Sequence, residues 1–203
     1  MQSLSQQREK FSNFRESVGR FFSKFPISAN GYTILSLLFV FISFFFLINN
    51  LLLYTFIFFL LAGFLDTIDG CVARFRKEES KKGAYLDTII DRYVEGIFLL
   101  GLLFLPFPKI LLPSYIWIFL LFFGSLMTTY AKSAAKEKEV TENGQELKIG
   151  FIQRPERIIL LCIGLLIGYF FGLKYFLWII IFLAILTNLS AIQRIIYTFK
   201  NAR

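Results

Sequence analysis

The sequence predicts an all-α integral membrane protein with six transmembrane helices. Hydrophobic residues make up 56% of the 203 positions, 27 of them are phenylalanine, and only 18% are charged. This composition is typical of membrane proteins, and the length suits a single domain. We therefore expect a juxtamembrane amphipathic segment at residues 1–27 and a six-helix domain at residues 28–203, with both termini in the cytoplasm.

The segment before the first span is predicted to be an amphipathic helix. Between residues 5 and 25, apolar side chains recur at spacings of three and four, with basic residues between them; the apolar positions are Phe11, Phe14, Val18, Phe21, Phe22 and Phe25. Such a pattern favours a helix that lies on an anionic membrane surface. The segment is too charged to span the bilayer, and a targeting sequence is the weaker alternative.

Six apolar segments follow, each long enough to cross roughly 30 Å of hydrocarbon. They are residues 31–48, 51–73, 84–105, 113–133, 155–172 and 174–197. Ser28 or Asn30 can cap the first of these helices, because a short polar side chain accepts a hydrogen bond from a free backbone N–H.

The basic residues define the expected topology. Of the 22 lysines and arginines, 19 fall in the N-terminal segment, the 74–83 loop, the 132–157 loop and the stretch from Arg194. The positive-inside rule places these regions in the cytoplasm. Because the net charge of +8 is divided among alternate loops, it does not indicate a nucleic-acid partner. The acidic residues also fall on or near this side, so the chemistry is expected to face the cytoplasm.

Four aspartates lie where the second and third spans meet the 74–83 loop, and the chain contains no others: Asp66, Asp69, Asp87 and Asp91. Within each pair the spacing is three or four, so the two carboxylates share a helix face. If the helices are neighbours, four negative charges converge and need cations. Carboxylate oxygens favour Mg²⁺ or Mn²⁺, and there is no histidine in the chain. We expect two such ions, suited to chemistry on a phosphate.

The residues between the aspartates support a phosphate-bearing ligand. Gly70 and Gly83 allow a ligand to approach the backbone, and Arg74 supplies a fixed positive charge. The complete 26-residue pattern resembles the signature of the CDP-alcohol phosphatidyltransferases, with eight specified residues at the family spacing: Asp66-x2-Asp69-Gly70-x2-Ala73-Arg74-x8-Gly83-x3-Asp87-x3-Asp91.

The resemblance implies a set of roles for these residues. A CDP-linked lipid, either CDP-diacylglycerol or CDP-archaeol, would bind over the motif, and the protein would form a homodimer. The metal ligands would be Asp66, Asp69, Asp87 and Asp91, with Asp91 also the general base. The CDP-lipid site would comprise Asp66, Asp69, Gly70, Ala73, Arg74 and Gly83. Asn30 and Thr33 join this set by similarity to a Pro-Asn-x-x-Thr turn of the family, although Ala29 here replaces the proline.

A second group of basic residues lies at predicted cytoplasmic helix ends: Lys132, Arg154, Arg157 and Arg194. A helix that starts with proline between two arginines offers backbone amides and guanidinium groups to an anion. The group resembles the acceptor side of the family branch that makes phosphatidylinositol phosphate, or its archaeal ether-lipid counterpart, from inositol phosphate. The motifs are Tyr130-x-Lys132, Arg154-Pro155-Glu156-Arg157 and Gln193-Arg194.

Several alternatives stay open at this level. Glycerol 3-phosphate is a possible acceptor, and CDP-inositol a possible donor. Family members that use CDP-inositol often carry a fused cytidylyltransferase domain, for which we expect no room before the first span. The two activities can also reside on separate chains, so this donor stays open. Serine is least favoured, because it has no phosphate for the arginines. Outside this class, intramembrane carboxylates also occur in divalent-cation transporters. Against a transporter, the carboxylates cluster toward one membrane surface and do not continue through the predicted spans.

Overall fold

A computed structural model describes residues 15–138, 140 and 150–201 of the chain. Within these residues the protein is helical and forms no β-sheet. The first helix, α1, covers residues 15–22. Six long helices follow: α2 (Ala29–Ile48), α3 (Leu52–Arg76), α4 (Lys81–Leu102), α5 (Ser114–Glu137), α6 (Arg154–Phe171) and α7 (Leu173–Asn201). The predicted helices are therefore present, with ends that differ from the expected ones by a few residues.

Polar side chains fix the starts of the helices that carry the site. Ser28 caps α2 and Ser80 caps α4, each accepting a hydrogen bond from the backbone N–H three residues later, at 3.1 and 3.0 Å. At the start of α6, Glu156 accepts a hydrogen bond from the backbone N–H of Gln153 at 2.7 Å. These contacts satisfy N–H groups that have no partner inside the helix. Of the two predicted caps for α2, Ser28 is the one used, and Asn30 lies within the first turn.

Four helices in the described part of the chain, α2, α3, α5 and α7, are long and apolar enough to cross a membrane. This confirms the prediction of an all-helical membrane protein. The other two predicted spans, α4 and α6, have 22 and 18 residues but are rich in charge near their N-termini. Their charged side chains include Asp87, Asp91, Arg92 and Glu95 on α4 and Arg154, Glu156 and Arg157 on α6.

Close packing and polar contacts hold the long helices together. The most extensive contacts join α2 to α3 and α5 to α7. The rings of Phe59 and Phe98 stack with centroids 3.7 Å apart and connect α3 to α4. Asn188 of α7 donates a hydrogen bond to the carbonyl oxygen of Leu120 on α5 at 2.8 Å. At this crossing a methyl group on Gly124 would lie 2.7 Å from the Asn188 amide, so only glycine permits the approach.

Arg76, at the end of α3, attaches the juxtamembrane segment to the bundle. Its guanidinium donates hydrogen bonds to the carbonyl oxygens of Ser23, Phe25 and Ile27 at 2.7 to 2.8 Å. The side chains of Phe21 and Phe25 remain about half exposed, which gives the segment an apolar surface. The predicted amphipathic helix starts at residue 5, and its part before residue 15, including Phe11 and Phe14, lies outside the described residues.

Candidate active site

Three carboxylates from two helices converge near the α3–α4 loop. Asp66 and Asp69 lie on α3 and Asp87 lies on α4, and one oxygen of each is within 4.8 Å of the other two. Asp69 is buried, whereas Asp66 and Asp87 are partly exposed. Like charges at this separation repel each other. Three such oxygens are also the donors that Mg²⁺ and Mn²⁺ prefer, so the group can hold a divalent cation.

Thr33 of α2 orients one of these carboxylates. Its Oγ1 lies 2.6 Å from Asp69 Oδ2 and 3.3 Å from the carbonyl oxygen of Ala29. A hydroxyl has one hydrogen to donate, and the shorter contact to a charged acceptor is the stronger one. Thr33, which the sequence assigned to the CDP-lipid site, thus donates to a candidate metal ligand from a position that is 3% exposed.

Asp91 stands beside the three-carboxylate group and pairs with an arginine from a third helix. Arg154 Nη1 lies 2.7 Å from Asp91 Oδ1 and 3.0 Å from Asp66 Oδ2. All three side chains are 15 to 17% exposed. Arg154 was expected on the acceptor side, and the structure places it between two of the signature aspartates. Through this contact the start of α6 becomes part of the aspartate site.

A cavity of about 280 Å³ opens next to the carboxylates. Seven of the eight residues predicted for the CDP-lipid site line it: Asn30, Thr33, Asp69, Gly70, Ala73, Arg74 and Gly83. The eighth, Asp66, lies in the adjacent carboxylate group, and Asp87 lines both cavity and group. The structure thus brings together residues from α2, α3 and α4 that are up to 57 positions apart in sequence.

Gly83 keeps this cavity open where α2 and α4 approach each other. A methyl group at this position would lie 3.1 Å from Ser80 Oγ and 3.2 Å from Asn30 Oδ1. Contacts this short require the neighbours to move. At Gly70 a methyl group would lie 3.4 Å from the Arg74 guanidinium, which is an ordinary contact. A side chain is therefore harder to accommodate at Gly83 than at Gly70.

Two of the predicted acceptor residues lie at the same end of the α5–α7 pair. Arg194 donates a hydrogen bond to the carbonyl oxygen of Thr128 at 2.5 Å, one helical turn before Lys132. Lys132 is exposed and Arg194 is partly exposed. The hydroxyl of Ser190 accepts hydrogen bonds from the backbone N–H groups of residues 151 and 152, at 3.0 and 3.2 Å. These bonds hold the segment before α6 against α7, next to Arg194.

Arg157, the remaining predicted acceptor residue, is buried. Its side chain is 2% exposed and donates to Glu95 through Nε at 2.9 Å and through Nη2 at 3.1 Å. Nη2 also donates to Ser125 Oγ at 2.8 Å. Arg157 therefore differs from Lys132 and Arg194 in being buried. Its partners Glu95 and Ser125 were not among the predicted site residues.

Several residues at the site were missed by the sequence reasoning. The cavity lining also includes Ala29, Glu78, Glu79, Ser80 and Ala84. Lys77 ends α3 in a left-handed conformation with φ 57°, and the Glu78 N–H returns to the Ala73 carbonyl oxygen at 2.9 Å. This turn directs the loop back over the cavity. Ser80 was detectable, since serine before a helix is a capping signal; the two glutamates gave no comparable signal.

The comparisons with known proteins agree with the helical membrane fold. The sequence profile of the CDP-alcohol phosphatidyltransferase family matches residues 27–194, and the chain belongs to this family. It is therefore a transferase of a CDP-alcohol class, as the aspartate signature predicted, and the transporter alternative is not supported.

Two archaeal relatives match a large part of the chain. The archaetidylinositol phosphate synthase of Methanothermobacter thermautotrophicus is 32% identical over 142 residues, which are 70% of this chain and 68% of the relative. The archaetidylinositol phosphate synthase of Pyrococcus horikoshii is 32% identical over 195 residues, 95% of this chain and 94% of the relative.

A solved structure has the same fold. The phosphatidylinositol phosphate synthase of Mycobacterium tuberculosis, crystallised with CDP-DAG bound, superposes with a TM-score of 0.77 and 23% identity, covering 92% of this chain and 94% of that one. The same protein has been crystallised with manganese and citrate, with a TM-score of 0.77, 23% identity, and coverage of 91% and 88%.

Proposed function

We propose that this protein transfers the lipid phosphate group of CDP-diacylglycerol or CDP-archaeol to inositol phosphate and releases CMP. The observation that carries the proposal is the convergence of Asp66, Asp69 and Asp87 beside a cavity lined by the remaining signature residues. The archaeal relatives support inositol phosphate as the acceptor, because both are synthases of an inositol phosphate lipid.

The residues present fit a divalent cation. Three carboxylate oxygens within 4.8 Å form a set of hard donors, and the hydroxyl of Thr33 fixes the orientation of one carboxylate. We assign Asp66, Asp69 and Asp87 as ligands, with Asp91 completing a site for two Mg²⁺ or Mn²⁺ ions; the manganese complex of the mycobacterial protein supports the choice of metal. Bound ions of this kind draw negative charge from a pyrophosphate.

The cavity residues bind and orient the donor. Gly70, Ala73 and Gly83 leave room for the nucleotide, while Arg74 adds a cation that can pair with phosphate oxygens. Asn30 and Thr33 close the α2 side of the cavity. In this arrangement the pyrophosphate lies against the carboxylate group and the lipid chains extend into the bilayer.

Asp91 acts as the general base. Its carboxylate accepts the proton of the acceptor hydroxyl, whose oxygen then forms a bond to the lipid-side phosphorus. The bond from that phosphorus to the oxygen of CMP breaks, and CMP leaves with the electron pair. Arg154, 2.7 Å from Asp91 and 3.0 Å from Asp66, holds the two carboxylates in a fixed relation. Lys132 and Arg194, at the same end of α5 and α7, bind the acceptor phosphate.

The same proposal places the chain in the cell membrane with six spans. α4 and α6 cross the bilayer next to the four more apolar helices, both chain ends and the site face the cytoplasm, and residues 1–27 lie on the membrane surface. The distribution of basic residues supports this topology. As the family resemblance implies, the working unit is a homodimer, which crosslinking in native membranes would reveal.

An acceptor screen tests the function. The purified protein in lipid nanodiscs receives Mg²⁺ or Mn²⁺, radiolabelled CDP-diacylglycerol or CDP-archaeol, and one of inositol phosphate, glycerol 3-phosphate, CDP-inositol, inositol or serine. The expected result is CMP release that requires inositol phosphate and stops with EDTA. Release with glycerol 3-phosphate alone would reject the proposed acceptor, and no release with any acceptor would reject the reaction.

A further inference from the structure

A second charged cluster lies next to the aspartate site and outside the family signature. Glu95 of α4 accepts two hydrogen bonds from Arg157 of α6, at 2.9 and 3.1 Å, and Arg157 also donates to Ser125 of α5. Arg92 Nη1 donates to Glu95 Oε2 at 3.3 Å. The cluster therefore joins three helices through one carboxylate and one guanidinium group.

The burial of this cluster argues against a direct role in binding the acceptor. Glu95 is 4% exposed and Arg157 is 2% exposed. Three of the five N–H groups of Arg157 already donate to Glu95 and Ser125, and a side chain that is 2% exposed leaves an anion little access to the others. Moving Arg157 to a phosphate would leave the Glu95 charge buried without its two-point partner, and breaking such a pair is strongly unfavourable.

The spacing of the charged residues relates the cluster to the proposed general base. Glu95 follows Asp91 by four positions on α4, and Arg157 follows Arg154 by three positions on α6. Residues at these spacings share a helix face. Two ion pairs therefore connect α4 to α6 one turn apart: Asp91 with Arg154 at 2.7 Å and Glu95 with Arg157 at 2.9 Å. The two helices have little direct backbone contact, so these side chains supply the connection.

We infer that Glu95 and Arg157 are positioning residues for the transfer reaction, which set the place of Asp91 and Arg154 relative to the carboxylate group. The inference rests on the proposed function and replaces the expected role of Arg157 as a ligand of the acceptor phosphate. The bidentate Glu95–Arg157 pair fixes the register of α6 against α4. Arg92, 3.3 Å from Glu95 and 3.8 Å from Asp91, links the pair directly to the base.

Single and paired substitutions test the inference in full-length protein in nanodiscs. We expect Glu95→Gln and Arg157→Gln each to lower kcat for CMP release by about 10- to 100-fold, the usual effect of removing a partner that orients a catalytic group. The KM for inositol phosphate should change little in both. In the double variant two neutral amides face each other, so kcat should be no lower than in the worse single variant, because the partners act as one unit.

Arg157→Lys distinguishes a positioning role from phosphate binding, because the variant keeps the positive charge. It also provides the test if the glutamine variants fail to fold. A lysine retains the charge that a phosphate needs but loses the two-point contact to Glu95. Positioning predicts a lower kcat with an unchanged acceptor KM. The matched control is Glu137→Gln, the same substitution in an exposed pair with Lys138 at 3.2 Å, which should leave both parameters at wild-type values.

Three results would overturn the inference. The first is a raised acceptor KM with normal kcat in Arg157→Lys and Arg157→Gln, while Glu95→Gln behaves as wild type. The second is a double variant whose loss equals the product of the two single losses. The third is normal kcat in all of these variants. Failure of the proposed function itself gives a different result, since the wild-type protein would then release no CMP with any acceptor.

Discussion

Two carboxylates on α4 lie two helical turns apart and have opposite surroundings. Asp87 faces Asp66 and Asp69 within 4.8 Å and lines a cavity of about 280 Å³. Glu95 is 4% exposed and accepts hydrogen bonds from two arginines. The first site gathers three carboxylates, and Arg154 contacts only Asp66 among them, at 3.0 Å, whereas the second balances its charge within the protein.

The difference distinguishes a candidate metal site from an ion pair that stabilises the packing of the helices. A group of like charges is tolerated where bound cations and a substrate complete it, as expected of a metal-dependent site. A buried ion pair that satisfies its hydrogen bonds needs no further ligand, and breaking it is unfavourable. One acidic side chain of α4 is therefore a candidate metal ligand near the α3–α4 loop, whereas the other stabilises helix packing deeper in the bundle.

The largest effect on activity is expected at Asp91, which contacts Arg154 beside the carboxylate group and lies 3.8 Å from Arg92, a partner of Glu95. Asp91→Asn removes the proton acceptor, and general-base catalysis typically contributes about 10²- to 10⁴-fold, so kcat for CMP release should fall by that factor. Binding of the CDP-lipid, measured with radiolabelled donor, should persist because Asp91 does not line the cavity. Appreciable CMP release by the variant would remove Asp91 from the role of base.

The same chemical change should have opposite effects on stability at the two carboxylates. Glu95→Gln leaves the buried Arg157 without its counter-charge and should lower the free energy of unfolding by about 3–5 kcal/mol. Asp87→Asn removes repulsion from Asp66 and Asp69 and should raise the Tm when divalent ions are absent. Thermal unfolding in detergent with EDTA measures both. A lower Tm for both variants would contradict the contrast between the two sites.

Removing the hydrogen bond to Asp69 should weaken metal binding. Thr33→Val keeps the shape of the side chain but loses the donor that lies 2.6 Å from the carboxylate. We expect about a tenfold lower affinity for Mn²⁺, the lower end of the usual effect of removing a group that supports a ligand. Titration of the apoprotein with Mn²⁺ by electron paramagnetic resonance provides the measurement, and Thr33→Ser should retain most of the affinity. Wild-type affinity in the valine variant would show that Thr33 does not orient Asp69.

The smallest effect is expected at Gly83. An alanine there crowds Ser80 and Asn30 at 3.1 and 3.2 Å, and mild overpacking of this kind costs about 1 kcal/mol. The KM for the CDP-lipid should rise about fivefold, with the acceptor KM unchanged. Helix propensity favours alanine, so stability should not fall with affinity. Gly70→Ala, with its ordinary 3.4 Å contact, is the matched control. If Gly70→Ala and Gly83→Ala raised the KM for the CDP-lipid equally, close packing at Gly83 would not be the cause.

Much of the candidate site could be predicted from the sequence, because its core depends on local spacing. Asp66 and Asp69 share a face of one helix, Asp87 lies in the second turn of the next, and the short loop between the helices keeps them adjacent. Of the cavity residues, Gly70, Ala73, Arg74 and Gly83 followed from the same signature, whereas Asn30 and Thr33 came from a separate similarity.

The position of α6 could not be predicted in this way. Nothing in the sequence around Arg154 indicates that it reaches Asp66, 88 positions away, or that Arg157 turns toward Glu95 rather than toward solvent. Both contacts depend on how far α6 inserts into the bundle, and that is decided by packing against α3 and α7. The charged residues of α4 and α6 include Asp91 and Glu95, whose partners Arg154 and Arg157 lie on the other helix of the pair.

The Glu95–Arg157 pair has a consequence for how the protein is made. Its two members lie on α4 and α6, the two long helices of the described chain that are not among the four candidate membrane spans. During synthesis α4 is made before α6, so Glu95 is present 62 residues before Arg157. In that interval the neighbouring Arg92, three positions away, is its partner on the same helix. Packing of α6 against α4 then adds Arg157 as a second partner of Glu95 and, through Arg154 and Asp91, brings the start of α6 to the aspartate site.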